Sequence, residues 1–219
     1  MSSNEIKAVE VVWHNGDVQA KDRCQLLGQR PITIWLTGLS ASGKSSLAFA
    51  LERHFVEVGH ACYVLDGDNI RHRLNNDLGF SHKDRTENIR RIAEVARLMN
   101  DAGLIVITAF ISPYRDDRKS ARYIIGAENF IEIYVSTPME ICEARDPKGM
   151  YKRARAGELM GFTGVNAPYE PPVAADMTID TSSAPPSECA AKLLSVLLAR
   201  IAVSECAKPI NWKTPNERS

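Results

Sequence analysis

The residues Gly38-Leu39-Ser40-Ala41-Ser42-Gly43-Lys44-Ser45 set two glycines, a lysine and a hydroxyl at the spacing G-x-x-x-x-G-K-[ST]. Glycines allow a tight turn in which several backbone N–H groups point at one anion. The N-terminus of a following helix adds partial positive charge at the same place. Lys44 would then reach the β- and γ-phosphates of a nucleoside triphosphate, and Ser45 would ligate Mg²⁺. This narrows the chemistry to nucleotide phosphates and the few reactions performed on them.

A second cluster, Leu65-Asp66-Gly67-Asp68-Asn69-Ile70-Arg71, supplies two carboxylates and a guanidinium. One carboxylate can accept a hydroxyl proton from a phosphoryl acceptor while the other holds Mg²⁺ or its waters. Gly67 permits the turn between them, and Arg71 can grip an anionic acceptor. The same D-G-D-N letters also suit an Asx turn capping a helix, and both readings can hold together. Downstream, Phe80 is an aromatic in a polar loop, fit to stack on a base or to plug the core. Arg85, Asn88 and Arg91 recur at a helical spacing, and His82 has no assigned role. Ser112 follows an apolar run and could touch an acceptor or cap a helix starting near Tyr114.

These groups need elements to hold them. Short, almost wholly apolar runs at 32–37, 61–65, 104–109, 130–135 and 177–180 read as strands covered on both faces. Helical patterns lie between them, at 46–57, 85–101, 114–125 and 186–202. The second carries Ile89, Ile92, Val95, Ala96 and Met99 as a 3.6-residue stripe that Gly103 ends. Alternation of this kind predicts an α/β fold, a parallel sheet of the P-loop type with helices on both faces. Ligands of such sheets bind at the carboxyl ends of the strands, which puts Asp66, Asp68 and Ser112 on the rim of the phosphate loop.

Two stretches stand outside the alternation. Residues 1–30 are polar with apolar anchors Val11, Val12, Trp13, Leu26 and Leu27, and read as an extension packed on the domain of 31–204 or on a partner subunit. Residues 143–172 are basic and glycine-punctuated, with Arg145, Lys148, Lys152, Arg153 and Arg155. They suit a mobile lid over phosphates, although such runs are more often a solvated helix face. The tail 205–219 carries no functional signal.

The 27 basic and 27 acidic side chains cancel, which argues against a general nucleic-acid binder. With 44% hydrophobic and 25% charged residues, a core can form by burial alone. Five widely spaced cysteines make neither a zinc pattern nor a disulfide framework. No apolar run nears the ~18 residues of a membrane span. The N-terminus lacks the basic and apolar regions of a signal peptide, so a cytoplasmic location is expected, with no membrane partner.

Taken together, the motifs resemble the adenylylsulfate kinase family over nearly the whole chain. The resemblance rests on Val12-Trp13-His14 with Leu26-Leu27-Gly28-Gln29, on the phosphate loop and its strand, and on Asp66 to Arg71. It continues through Asp84-Arg85 with Glu87 to Arg91, Ile111 to Arg115 with Arg118, and the lid. The lid reads Arg145-Asp146-Pro147-Lys148-Gly149, then Ala154-Arg155-Ala156-Gly157-Glu158, Phe162-Thr163-Gly164 and Pro168-Tyr169-Glu170.

That resemblance implies transfer of the ATP γ-phosphoryl group to the 3′-hydroxyl of adenosine 5′-phosphosulfate (APS), with Mg²⁺. It implies ATP contacts from Gly38 through Ser46 and from Arg145. It places the acceptor's adenine between Phe80 and Phe162, with Arg71, Arg85 and Asn88 around the phosphosulfate and adenosine. Ile111, Ser112 and Thr163 would complete that side. Lys148 would neutralise charge at the transferring group, Asp66 would be the base, and Asp68, with Ser45, would support the metal or the acceptor. Phosphorylation of the serine matching Ser112, described in some members, is treated as incidental. The family forms homodimers, and a separate ATP sulfurylase would supply the acceptor, because 219 residues leave no room for that domain.

The chain departs from the family at Ala41, usually glycine, where a methyl fits only with negative φ. Arg73 also stands in place of a frequent glycine, and Ala175-Asp176 in place of Pro-Glu. Two other readings remain open. One is another small-molecule or nucleotide kinase of the same loop class, and the other is a catalytically silent nucleotide-binding regulator.

Overall fold

The computed structural model describes residues 12, 14 and 16–203 of the 219. The anchors expected at Val11 and Trp13, together with Cys206 and the tail 205–219, lie outside the described residues. Five strands form one sheet: β1 (Thr33–Thr37), β2 (Cys62–Asp66), β3 (Ile105–Ala109), β4 (Phe130–Val135) and β5 (Met177–Ile179). Their order is β2-β3-β1-β4-β5 and every pairing is parallel.

β1 and β3 are buried at every residue, which is why they read as unbroken apolar runs. Their side chains still alternate between two cores. Ile34, Leu36, Ile105 and Ile107 join Leu47, Leu51 and Phe55 of α2 (Lys44–Glu57) and Leu193 and Leu197 of α8 (Pro186–Ile201). Trp35 and Val106 face the other way, onto Ile89, Ile92 and Ala96 of α4 (His82–Asp101) and Ala121 of α5 (Arg115–Ile125). The expected helices on both faces are therefore present.

The predicted strands are met within a residue or two. α4 begins three residues before the predicted start because Ser81 caps it, its hydroxyl accepting from Asp84 N at 3.2 Å. Other helices escaped the pattern. α1 (Ala20–Leu27) buries no residue fully, so it shows no apolar stripe. It is fixed at its ends by Gln19 and Gly28 and by an Arg23–Asp101 ion pair. The five-residue α3 (Gly67–Arg71) starts from Asp66.

The stretch 143–172 is folded. It contains the end of α6 (Met139–Arg145) and all of α7 (Met150–Arg155), and its Tyr151, Ala154 and Phe162 form a small core with Cys142 just before it. Tyr151 Oη donates to Ser40 O at 3.1 Å, which ties this stretch to the phosphate loop. At its far end Glu170 N donates to Pro113 O at 2.8 Å.

Candidate active site

β1 delivers the chain to the phosphate loop and α2 carries it away. Gly38 has φ +153° and sits against β4, where an added Cβ would lie 2.5 Å from Val135 O. Gly43 has φ +92° and forms the N-cap of α2. Ala41 also takes a positive φ, +57°. The condition under which a methyl was expected to fit, a negative φ, is thus not met: the loop imposes a left-handed residue, and alanine bears roughly 1–2 kcal/mol of strain there. Lys44 is buried, and Nζ donates to Gly38 O at 2.9 Å and Leu39 O at 2.5 Å. Burial pushes its pKa down to about 8, against the opposing pull of the nearby Cys142, Asp66 and Asp68.

Asp66 ends β2 in the expected place. Its Oδ1 accepts from Asp68 N at 3.1 Å and Asn69 N at 3.4 Å, and its Oδ2 accepts from Ser45 Oγ at 2.6 Å. The helix-cap role and a site role therefore coexist in one carboxylate. Asp68 points outward and pairs with Lys148 of the lid segment.

One open cavity of about 1000 Å³ joins these groups. Ser40, Ala41, Gly43, Lys44, Ser45, Ser46, Asp66, Asp68, Arg145 and Lys148 line it together with Arg71, Phe80, Arg85, Asn88, Ile111 and Ser112. Gly38, Leu39 and Ser42 lie behind that surface and hold Lys44 instead. Phe162 and Thr163 are not brought to the cavity wall. Phe162 is buried edge-on against Tyr151, ring centres 4.9 Å apart, because the lid segment folds around its own core. Thr163 instead receives Arg85 Nη1 at 3.3 Å.

Phe80 is 63% exposed, so it is no core plug, and the Arg71 guanidinium lies 4.4 Å from its ring centre. Arg71 and Arg85 otherwise rest on main-chain oxygens, Arg71 on Leu78 O and Gly79 O, and Arg85 on Phe80 O and Gly161 O. Asn88 is buried and accepts from Asn75 Nδ2 at 3.0 Å. Arg91 is removed from the site by Asp77 and Glu87. Ser112 neither caps α5 nor turns its hydroxyl to the cavity. It has φ +38° and accepts from Trp35 Nε1 at 3.1 Å.

Several supports had no role assigned from the sequence, Arg118 being named only within the resemblance. Arg118 is buried and donates to Glu132 Oε1, Ser112 O and Glu170 O at 2.6–2.7 Å, joining β4, the acceptor loop and the base of the lid. Thr137 and Thr181 meet Ser42 O beneath the phosphate loop. Their only signal was position, just past the carboxyl ends of β4 and β5 on the ligand rim.

Comparisons with known proteins identify the family and the fold. The adenylylsulphate kinase family profile matches residues 30–180. An adenylyl-sulfate kinase of Shewanella pealeana is 54% identical over 190 residues, covering 87% of this chain and 93% of that protein. The structure of an APS kinase from Mycobacterium tuberculosis in complex with AMPPNP and APS superposes with TM-score 0.74 at 46% identity, over 77% of this chain and 98% of that one. A hexameric APS kinase from Thiobacillus denitrificans gives TM-score 0.60 at 32% identity, over 78% of this chain and 29% of that one.

Proposed function

The chain belongs to the adenylylsulphate kinase family, and we infer from it an ATP-dependent kinase that phosphorylates the 3′-hydroxyl of APS, releasing ADP. The observation that carries this reading is the single cavity in which Lys44, Ser45 and Asp66 face Arg71, Phe80 and Arg85. A triphosphate fits the first group and an anionic adenine nucleotide the second.

Ser45 and Asp66 offer hard oxygen donors in mutual contact, and Mg²⁺ needs only one or two such protein ligands beside phosphate. Among the described residues no cluster of three or more acidic, histidine or cysteine side chains makes a richer metal site. Ser45 and Asp66 would hold Mg²⁺, which would supply positive charge against the phosphates. This favours a division of labour that reverses the one implied by the resemblance. Asp66 already accepts two N–H groups and the Ser45 hydroxyl, so it suits the metal side. Asp68 accepts from no backbone donor and lines the cavity with only the exposed Lys148 as partner, so it suits the base.

The acceptor 3′-oxygen then forms a bond to the γ-phosphorus. The bond from that phosphorus to the bridging oxygen of ADP breaks, and the hydroxyl proton passes to the Asp68 carboxylate. Lys44 and Lys148 hold the charge that spreads over the moving phosphoryl oxygens. Arg71 and Arg85, with Asn88, hold the phosphosulfate, and Phe80 stacks on the adenine.

Three further points belong to the same reading. The acceptor, a sulfate–phosphate anhydride, calls for an enzyme that joins sulfate to an adenylyl group, the reaction of an ATP sulfurylase. Exposed Val12, Val18 and Leu26 suit contact with a second copy in a homodimer. Free thiols at Cys24, Cys62, Cys142 and Cys189 suit a reducing compartment such as the cytoplasm.

Steady-state ADP release from MgATP with APS, compared with AMP, tests the function. Fast turnover with APS and slow turnover with AMP is expected. Equal rates would overturn the acceptor assignment.

A further inference from the structure

We propose that Thr181 is the positioning residue of the phosphate loop, aiming one backbone N–H at the nucleotide and linking that aim to Arg145 of the lid segment; this rests on the ATP site proposed above.

The argument begins with hydrogen-bond capacity. Thr181 and Thr137 are both buried, and each hydroxyl carries one proton. Arg145 has donors only, and its Nη1 lies 3.0 Å from Thr181 Oγ1 while Nη2 donates to Thr181 O at 2.6 Å. Thr181 Oγ1 is therefore the acceptor toward Arg145. Its own proton has two acceptors in reach, Ser42 O at 2.8 Å and Thr137 Oγ1 at 3.0 Å, and the shorter contact assigns it to Ser42 O. Thr137 Oγ1 lies 3.1 Å from the same carbonyl and accepts from Thr181 N at 3.3 Å. A cation thus polarises a hydroxyl that pins one carbonyl of the loop.

That carbonyl belongs to the peptide joining Ser42 and Gly43. In a planar trans peptide the C=O and the N–H point in opposite directions. Holding Ser42 O down on the two threonines turns the Gly43 N–H away from them. Gly43 lines the cavity, and no main-chain carbonyl among the described residues takes its N–H. The close approach also accounts for glycine at this position beyond its φ. An added Cβ would stand 2.8 Å from Thr181 Oγ1.

Thr181→Val keeps the shape and deletes the hydroxyl, and Thr181→Ser restores it. Calorimetric titration with MgATP, kinetics at saturating ATP and thermal melting are run on the full chain. For Thr181→Val a rise of roughly five- to twentyfold in the ATP Kd is expected, from one lost hydrogen bond and a loosened loop. The acceptor KM at saturating ATP should change less than twofold, and Thr181→Ser should bind ATP within twofold of the wild type. The effect of Thr181→Val should also shrink in an Arg145→Ala background, since the two act through one contact.

Wild-type ATP affinity in Thr181→Val would overturn the inference, whatever its melting point. Equal losses in the valine and serine variants would overturn it too, by assigning the effect to packing. A wild-type chain that binds no ATP would overturn this inference together with the ATP site it rests on.

Discussion

The phosphate-loop wall and the acceptor wall of the cavity are built on opposite plans. On the first, Ser42, Lys44 and Thr181 are buried and partnered by loop carbonyls or by one another. On the second, Phe80 is 63% exposed, and Lys148 and Asp68, also exposed, hold only each other. Backbone donors fixed around a nearly invariant triphosphate need little reorganisation when it binds, Lys44 alone having to turn from its loop carbonyls. An acceptor that must enter and leave needs groups whose present partners are easily exchanged. Exposed ion pairs are worth little, so Lys148 and Asp68 can separate when a phosphoryl group arrives.

The largest break of this contrast is expected at Asp68. Asp68→Asn should lower kcat about 10²- to 10⁴-fold, the usual span for a general base, with the ATP Kd unchanged. Asp66→Asn should instead weaken Mg²⁺-dependent nucleotide binding. If Asp66→Asn bound MgATP normally and lost only kcat, the two roles would revert to the assignment implied by resemblance. Next in size, Lys44→Ala should cost roughly 10²- to 10³-fold in kcat, as one lost donor to the developing charge does. A smaller effect belongs to the acceptor wall. Phe80→Ala should raise the acceptor KM about tenfold, within the ~1–3 kcal/mol of a base stacked on an aromatic ring, and leave the ATP Kd alone.

The two walls also differ in how far they could be read from sequence. The grouping of Lys44, Ser45, Asp66 and Asp68 on one rim was legible because it depends on short spacings along the chain, at strand ends the apolar runs revealed. Phe162 was not, because its location depends on whether residues 143–172 close over the acceptor or over their own core, and the sequence permits both. The roles of Thr137, Thr181 and Arg118 (the last named only within the resemblance) were hidden for a different reason. Each acts through a partner 14 to 139 residues away, and a lone threonine after a strand announces nothing.

Lys44 links the plan of the phosphate wall to pH. Its pKa is about 8 in the folded chain against ~10.4 unfolded. Between those values the unfolded chain binds a proton that the folded chain has lost. This group's contribution to stability therefore rises with pH across that window, and below pH 8 its burial is a constant cost. Phosphates beside Lys44 act oppositely, restoring the proton. ATP affinity should fall as pH rises above 8, by at most about tenfold per unit. Calorimetry in two buffers of different ionisation enthalpy should detect proton uptake at pH 8.5, and identical heats would place Lys44 outside the phosphate contacts.

Ala41 is the exception within the pinned wall and gives the smallest expected effect. Its φ of +57° strains an alanine, yet the loop holds it there. Ala41→Gly would release roughly 1–2 kcal/mol of left-handed strain. It would also add about 0.4–1 kcal/mol of chain entropy to the unfolded state. The difference favours the glycine variant by about 0–1.6 kcal/mol, read as a modest rise in Tm. ATP Kd should not move, because the neighbouring carbonyls and Thr181 already fix the loop without help from residue 41. A tighter ATP Kd in Ala41→Gly would mean that the methyl distorts the donor array, and that the phosphate wall is less completely pre-formed than its hydrogen bonds imply.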